Sequence, residues 1–241
     1  MTLLSVNVNK LATLRNSRGG NTPDVLKTTL DIIEYGAQGI TVHPRPDERH
    51  IRRQDVYDIA KNIQVEFNIE GYPSKEYIDL VCAIKPAQCT LVPDPPHVLT
   101  SNAGWLIEQN LEFLMDVIKK LHAYGMRVSL FVDPHTLTAQ DIQLLKQTGT
   151  DRVELYTESY ATHYGTLEGE KILYLFKNTA EIIFDLGIDI NAGHDLNLIN
   201  LRTLIKEIPM MKEVSIGHAL ICDALYYGLK DTIARYLDCL H

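Results

Sequence analysis

The chain lacks the features that mark several large protein classes. Its 241 residues include four cysteines, Cys82, Cys89, Cys222 and Cys239, with no Cys-x-x-Cys pair among them. That excludes a local zinc spacing and argues against a disulfide framework, so the thiols read as reduced and partly buried. No stretch approaches the roughly 20 apolar residues of a membrane span. Basic residues number 23 against 31 acidic ones, for a net charge of −8. A general nucleic-acid binder needs a basic face, so only a local basic pocket is compatible with this balance. The opening MTLLSVNVNKLATLR has an apolar run too short for a signal peptide, and its basic residues follow that run. A cytosolic location is therefore expected. No Gly-x-Gly-x-x-Gly follows the first strand-like run, and no His-x-His or His-Glu-x-x-His spacing occurs, which removes the local signatures of dinucleotide and metal sites.

What is present is alternation. Short β-branched runs at 3–9, 39–44, 64–71, 88–93, 127–134, 152–157, 189–194 and 213–218 are separated by segments of helical period. These fall at 23–35, 53–63, 74–85, 105–124, 138–148, 169–186, 197–207 and 219–239. Thr22 before Pro23 reads as a helix start, and Gly36, Gly125, Gly149 and Gly187 stand where helices should stop. Strand–helix alternation eight times over predicts a parallel sheet closed into a (β/α)₈ TIM barrel, one domain over 1–241. A doubly wound open sheet is the competing arrangement, and it wants the absent glycine-rich turn.

Buried parallel strands usually read as nearly continuous Val, Ile and Leu. Here Leu4, Val6 and Val8 alternate with Ser5, Asn7 and Asn9, and Val65, Phe67 and Ile69 alternate with Glu66, Asn68 and Glu70. Val153 and Leu155 likewise alternate with Arg152, Glu154 and Tyr156. In a barrel the apolar set belongs under the helices, so the polar set must face a wet, charged interior. The same alternation also suits an antiparallel sheet with one solvated face.

Active sites of such barrels lie at the C-terminal ends of the strands. Those ends supply Asn7, Asn9 and Lys10, then His43 and Arg45, then Glu70, Asp133, His194, Gly217 and His218. His43 fits either an inert hydrogen-bonded imidazole or a catalytic group. Arg45, Arg49 and His50 in HPRPDERH suit a phosphate or carboxylate. An enclosed Glu70 would have a raised pKa suited to proton transfer. Gly217, before the last helix, fits an anion site or a plain turn. Arg15 and Arg18 read as a first-loop pair, plausibly solvated. The Pro- and Gly-bearing segment 93–105 reads as a lid or a packed loop.

Taken in order, VNVNKLATLRNSRGG, GITVHPRPDERHI, FNIE, LVP, VSLFVD, INAGHDLN, SIGHALI and GLKD resemble the pyridoxine 5′-phosphate synthase family over nearly the whole chain. The resemblance implies a (β/α)₈ barrel with extra helices, a homo-octamer, no metal and no organic cofactor. It also implies condensation of 3-amino-2-oxopropyl phosphate with 1-deoxy-D-xylulose 5-phosphate through an imine and acid/base-catalysed ring closure. By motif, His43 and Glu70 would be general bases, His194 a proton donor, and Glu154 a stabiliser of the transition state. Asn7 would bind the amino ketone phosphate, and Arg18, Arg45, His50 and Thr100 would hold substrate groups. Gly217 and His218 would cradle a phosphate.

The chain departs from that pattern at Asn9-Lys10, where the family usually has Asp-His, and at Asp195, where it usually has glycine; these positions are carried as substrate-binding all the same. Other readings remain. One is a metal-dependent barrel hydrolase, another an aldolase with Lys10 as Schiff-base lysine, and a third a paralogue that binds phosphorylated ligands without turnover.

Overall fold

A computed structural model describes residues 1–93 and 103–241. Thr100 and most of the expected lid segment lie outside the described residues. Eight parallel strands close a barrel in chain order: β1 (Leu3–Asn7), β2 (Gly39–Val42), β3 (Glu66–Gly71), β4 (Gln88–Leu91), β5 (Arg127–Val132), β6 (Arg152–Tyr156), β7 (Asp189–Gly193) and β8 (Met211–Ile216). Ser5 pairs with Gly39 on one side and with Ser215 on the other, so the first and last strands form the seam. The parallel, closed register rules out both the open sheet and the half-solvated antiparallel one.

Around the strands lie α1 (Asn9–Asn16), α2 (Val25–Glu34), α3 (Arg53–Asn62), α4 (Lys75–Ile84), α5 (Ile107–Ala123), α6 (Ala139–Thr148), α7 (Glu158–His163), α8 (Leu167–Asp185), α9 (Leu201–Glu207), α10 (His218–Tyr227) and α11 (Leu229–Cys239). The four expected stop glycines all adopt positive φ. The expected helix 219–239 is two helices, because Gly228 takes φ 76° and breaks the ladder. The second helix starts later than Thr22-Pro23 suggests, since the carboxylate of Asp24 caps it by accepting from the Lys27 N–H at 2.9 Å. α1 and α7 were not expected. Arg15, read as a solvated loop residue, lies on α1 and is 1% exposed.

The outward side chains Leu4, Val6, Ile40, Val42, Ile69, Val128, Val153, Leu155 and Val214 are fully buried under the helices. The inward set is polar and bonded across the strands. Ser5 and Thr41 hydroxyls lie 2.7 Å apart, Asn68 donates to Thr41 at 3.3 Å, and Thr90 donates to Asn68 at 3.0 Å. Lower in the lumen Gln88 accepts from Arg127 and Arg152, which also pair with Glu66 and Glu213 respectively. Each buried polar group left without a partner would cost about 1–3 kcal/mol, which is why these side chains form a lattice rather than a scatter.

The alternation gives a paired test. Ser129 faces inward and its hydroxyl has no hydrogen-bond partner among the described residues, whereas Val128 faces the helices. Urea denaturation should show Ser129→Ala within about 1 kcal/mol of the parent and Val128→Asn destabilised by about 2 kcal/mol or more. Equal effects would contradict the assigned faces.

Candidate active site

The C-terminal ends of the strands open into a cavity of about 610 Å³. Its lining comes from six strand ends and includes Asn7, Asn9, Lys10, His43, Arg45, His50, Glu70, Glu154, His194, Asp195, Gly217 and His218. Twelve of the fourteen positions singled out from the sequence therefore share one chamber. Thr100 is not described. Arg18 is exposed and does not line the cavity, being carried on the turn that follows α1. Asp133 also stays out of the lining; its carboxylate accepts from the His135 N–H at 2.9 Å and closes its own turn.

At the centre, His43 Nδ1 lies 3.7 Å from Glu70 Oε2, both side chains about nine-tenths buried. His43 follows β2 and Glu70 points in from β3, so neighbouring strands place the pair. Asn7 Nδ2 approaches the same Glu70 oxygen at 3.5 Å. Its Oδ1 accepts from the Asn9 N–H, and Asn9 Oδ1 in turn accepts from the His43 N–H, both at 3.0 Å. Asn9 thus orients backbone, a task in which its amide oxygen needs no charge.

Burial dominates the ionisation of this pair. It pushes Glu70 up to about 8, with Glu213 adding in the same direction and Arg45 opposing. It pushes His43 well below the usual imidazole range, helped by the nearby Arg45 and Arg49 guanidinium groups and by the imidazoles of His50 and His194. At neutral pH the resting pair is a protonated acid beside a neutral base. Glu154 is raised well above a normal carboxyl by burial and by Glu70 and Glu213, and Glu213 rises to about 7 chiefly through burial. His50 falls to about 4, from burial and then Arg45 and Arg49.

His194 stands across the cavity on backbone of φ 81°, followed by Asp195 at φ 59°. Its ring lies against Phe131 and Tyr156, with centroids 5.2 and 5.0 Å away. The buried Thr157 hydroxyl lies within hydrogen-bond reach of the Gly193 and His194 carbonyls and fixes this turn. A side chain at Gly193 would meet Glu154 Oε1 at 2.3 Å, so glycine there makes room for the carboxyl.

Gly217 precedes α10, whose first N–H groups face the cavity mouth as a helix start does. Its φ is −127°, so no left-handed turn demands glycine. The requirement is spatial: a Cβ would lie 3.0 Å from Asn7 Cβ and from the Asn7 carbonyl oxygen. His218 Nε2 sits 3.6 Å from Cys222 Sγ one turn on. Lys10 and Arg45 give the rim its positive charge, His50 adds an uncharged imidazole, and Arg49 pairs with Asp47. Among the described residues no group of three or more His, Cys, Asp or Glu is placed to hold a metal ion.

Tyr156, Glu158 and Ser215 also line the chamber. Tyr156 and Ser215 continue the inward alternation of β6 and β8, a signal that was present in the sequence. Glu158 opens α7, a helix without a strong periodic signature.

Two measurements follow from this geometry. Gly217→Ala should push on Asn7 and weaken phosphate binding several-fold, as read by calorimetric titration. Glu70 has a folded-state pKa above its unfolded value, so the stability of its neutral form is complete below about 4.5 and is lost as pH rises through about 8. His43 has the opposite sign, its contribution being lost as pH falls below the imidazole range. Thermal melts should therefore show Glu70→Gln close to the parent at pH 4.5 and more stable than it at pH 8.5.

With the site in view, comparison with known proteins is informative. A family model described as pyridoxal phosphate biosynthesis protein PdxJ matches residues 4–241. Similar curated proteins include the pyridoxine 5′-phosphate synthase of Parabacteroides distasonis, 54% identical over 241 residues with both chains fully covered. Those of Bacteroides thetaiotaomicron (56%, both chains fully covered) and Porphyromonas gingivalis (55%, covering 99% of this chain and 98% of that one) are comparable. Among solved structures, a monomeric form of phosphoribosylanthranilate isomerase from Thermotoga maritima superposes with a TM-score of 0.60 at 12% identity, covering 100% and 98% of the two chains. A native KDPGal structure gives 0.61 at 13%, covering 99% and 94%. These two share the barrel alone. Matching over nearly the full length, at more than half identity to these relatives, shows that the chain belongs to the PdxJ family.

Proposed function

We propose that the chain is an enzyme that makes pyridoxine 5′-phosphate, the product by which its relatives are named. Its substrates would be 3-amino-2-oxopropyl phosphate and 1-deoxy-D-xylulose 5-phosphate, with phosphate and water released. The observation that carries this reading is the buried His43–Glu70 pair facing His194 across one chamber with a cationic rim. Imine formation, loss of water, loss of phosphate and ring closure each require a proton to be moved, and an enclosed acid–base pair can serve them in turn.

The electrostatics divide the roles. Neutral His43 is the base available at neutral pH. Glu70 starts with its proton; an ammonium group of the amino ketone arriving beside it favours its carboxylate, so it becomes a second base when substrate is bound. His194, its backbone fixed by Thr157 and its ring tilted against Phe131, gives a proton to the departing group. Glu154 stabilises the transition state, its protonated carboxyl placed to donate a hydrogen bond. Asn7 binds the amino ketone phosphate, and the N–H groups at Gly217 and His218 receive a phosphate, with Lys10, Arg45, His50 and Thr100 contributing to substrate binding, while Arg18 would have to reach substrate from the exposed turn beyond the lining. Lys10 supplies a fixed cation where relatives usually carry histidine, and exposed Asp195 adds a negative charge at the mouth. The chain would act as one barrel domain in the cytosol and as a homo-octamer. Exposed apolar side chains on α8 and α10, such as Tyr174 and Tyr226, support an assembled form. No helix among the described residues is long and apolar enough to cross a membrane.

The test is an assay with both substrates. Parent protein should form pyridoxine 5′-phosphate, and Glu70→Gln and His194→Ala should each lower turnover by about 100-fold or more. Ligand binding without product would instead identify a non-catalytic binder, and near-parental rates in both variants would remove the site assignment.

A further inference from the structure

The wall that carries His43, Arg45 and His50 follows a four-residue strand and contains two prolines, Pro44 and Pro46. A segment of this kind has little regular backbone bonding of its own, yet it must present several charged groups to one cavity. Its anchorage comes from the far end of α1. Asn16 Nδ2 donates to three successive carbonyls of the segment, Glu48 at 3.4 Å, Arg49 at 3.2 Å and His50 at 2.8 Å. Arg15 Nη2 donates to the same His50 carbonyl at 3.2 Å. The Arg15 guanidinium also holds Asp55 through two bonds, at 2.5 and 2.9 Å, and its Nε donates to Asn16 Oδ1 at 3.0 Å. Asp55 accepts from the Arg52 N–H at 2.7 Å and so closes the start of α3 immediately after the wall.

None of these three side chains lines the substrate cavity. They lie behind it. The opposite end of α1 does enter the site, through Asn9, whose side chain accepts from the His43 N–H. One short helix therefore grips the wall at both ends: Asn9 at its beginning, Arg15 and Asn16 at its end. An arginine that is 1% exposed and bonded through all three of its nitrogens is a rigid element, because a planar fork held at both arms has no remaining rotamer freedom.

We propose that Arg15 and Asn16 are positioning residues for substrate phosphate binding, acting through the 45–50 wall rather than by contact with substrate. The proposal rests on the synthase reading of the cavity. If these residues supply only placement, they affect how well ground-state substrate is held by Arg45 and His50, and leave proton transfer at His43 and Glu70 largely unchanged. A general structural role would instead lower the amount of active enzyme and scale every rate together.

The decisive variant is Asn16→Ala, which removes the three carbonyl contacts without leaving a buried charge. It should raise KM for a phosphorylated substrate about 5- to 10-fold, the effect of losing one to two net hydrogen bonds, with kcat within about twofold of the parent. A double-mutant cycle with Arg45→Ala adds a readout that simple destabilisation would not move. Asn16→Ala should weaken binding much less in the Arg45→Ala background than in the parent, because the group it places is gone. Arg15→Lys keeps the charge but loses the fork and should show the same KM effect in milder form. An unchanged KM, a kcat loss at constant KM, or full additivity with Arg45→Ala would overturn the proposal. Calorimetric binding of 1-deoxy-D-xylulose 5-phosphate to the same variants separates this outcome from failure of the synthase reading. A parent that binds but does not turn over would sink the reading, while weaker binding by Asn16→Ala would still support the clamp.

Discussion

Desolvation of carboxyl groups is the constraint on which this molecule depends. Three glutamates from three strands, Glu70, Glu154 and Glu213, point into one lumen and are nine-tenths or more buried. Full ionisation of all three would place like charges in a region with little water to screen them, which the fold could not sustain. Burial raises the pKa of both upper acids and so favours their protonated forms, and the lower one is given a cation, Arg152, at 3.5 Å. Arg127 and Glu66 then close the floor as an ion pair. Charge is thus permitted at the two ends of the barrel and suppressed in its middle.

That distribution suits the chemistry. In the proposed reaction the phosphates would meet Lys10, Arg45 and the start of α10 at the mouth, where water can still contribute. The proton-transfer groups sit deeper, on strands whose positions are set by the barrel register rather than by loops. Keeping Glu70 protonated and His43 neutral means that the site holds a donor and an acceptor at one pH, which a pair of ordinary carboxylates or imidazoles could not do. The segments proposed to bind anions are the irregular ones, and the 45–50 wall draws rigidity from contacts behind it, such as the Arg15 fork.

Much of this was legible in the sequence, for physical reasons. A period-two alternation in eight runs, separated by helical periods, is a strong signal because it repeats; it located every strand to within a few residues and gave the inward polar face. The glycine stops were legible because a positive φ is costly for other residues. What escaped notice lacked periodicity. α1 begins directly on the end of β1 and buries little apolar surface, so the strand pattern appeared to run on into a loop. Arg15 looked like a surface charge because its partner, Asp55, is forty residues away. The break at Gly228 was hidden by apolar residues on both sides of it. In the site, the motif order identified the residues that share the chamber, but the protonation of Glu70 depends on Glu213 and Arg45, a three-dimensional arrangement with no signature in the chain. Arg18 is the converse case: its motif position suggests substrate, and its place on an exposed turn keeps it off the lining of this chamber.

The seam between β1 and β8 runs through the chamber, with Asn7 against Gly217. A chain emerging from the ribosome makes Asn7, His43 and Glu70 early, but the seam that Asn7 forms with Gly217 closes only after residues beyond Ser215 have been released. Ligand can therefore stabilise the finished barrel and not its precursors. Premature termination before Gly217 would leave a molecule with most of its proton-handling groups but without the helix start that closes the chamber.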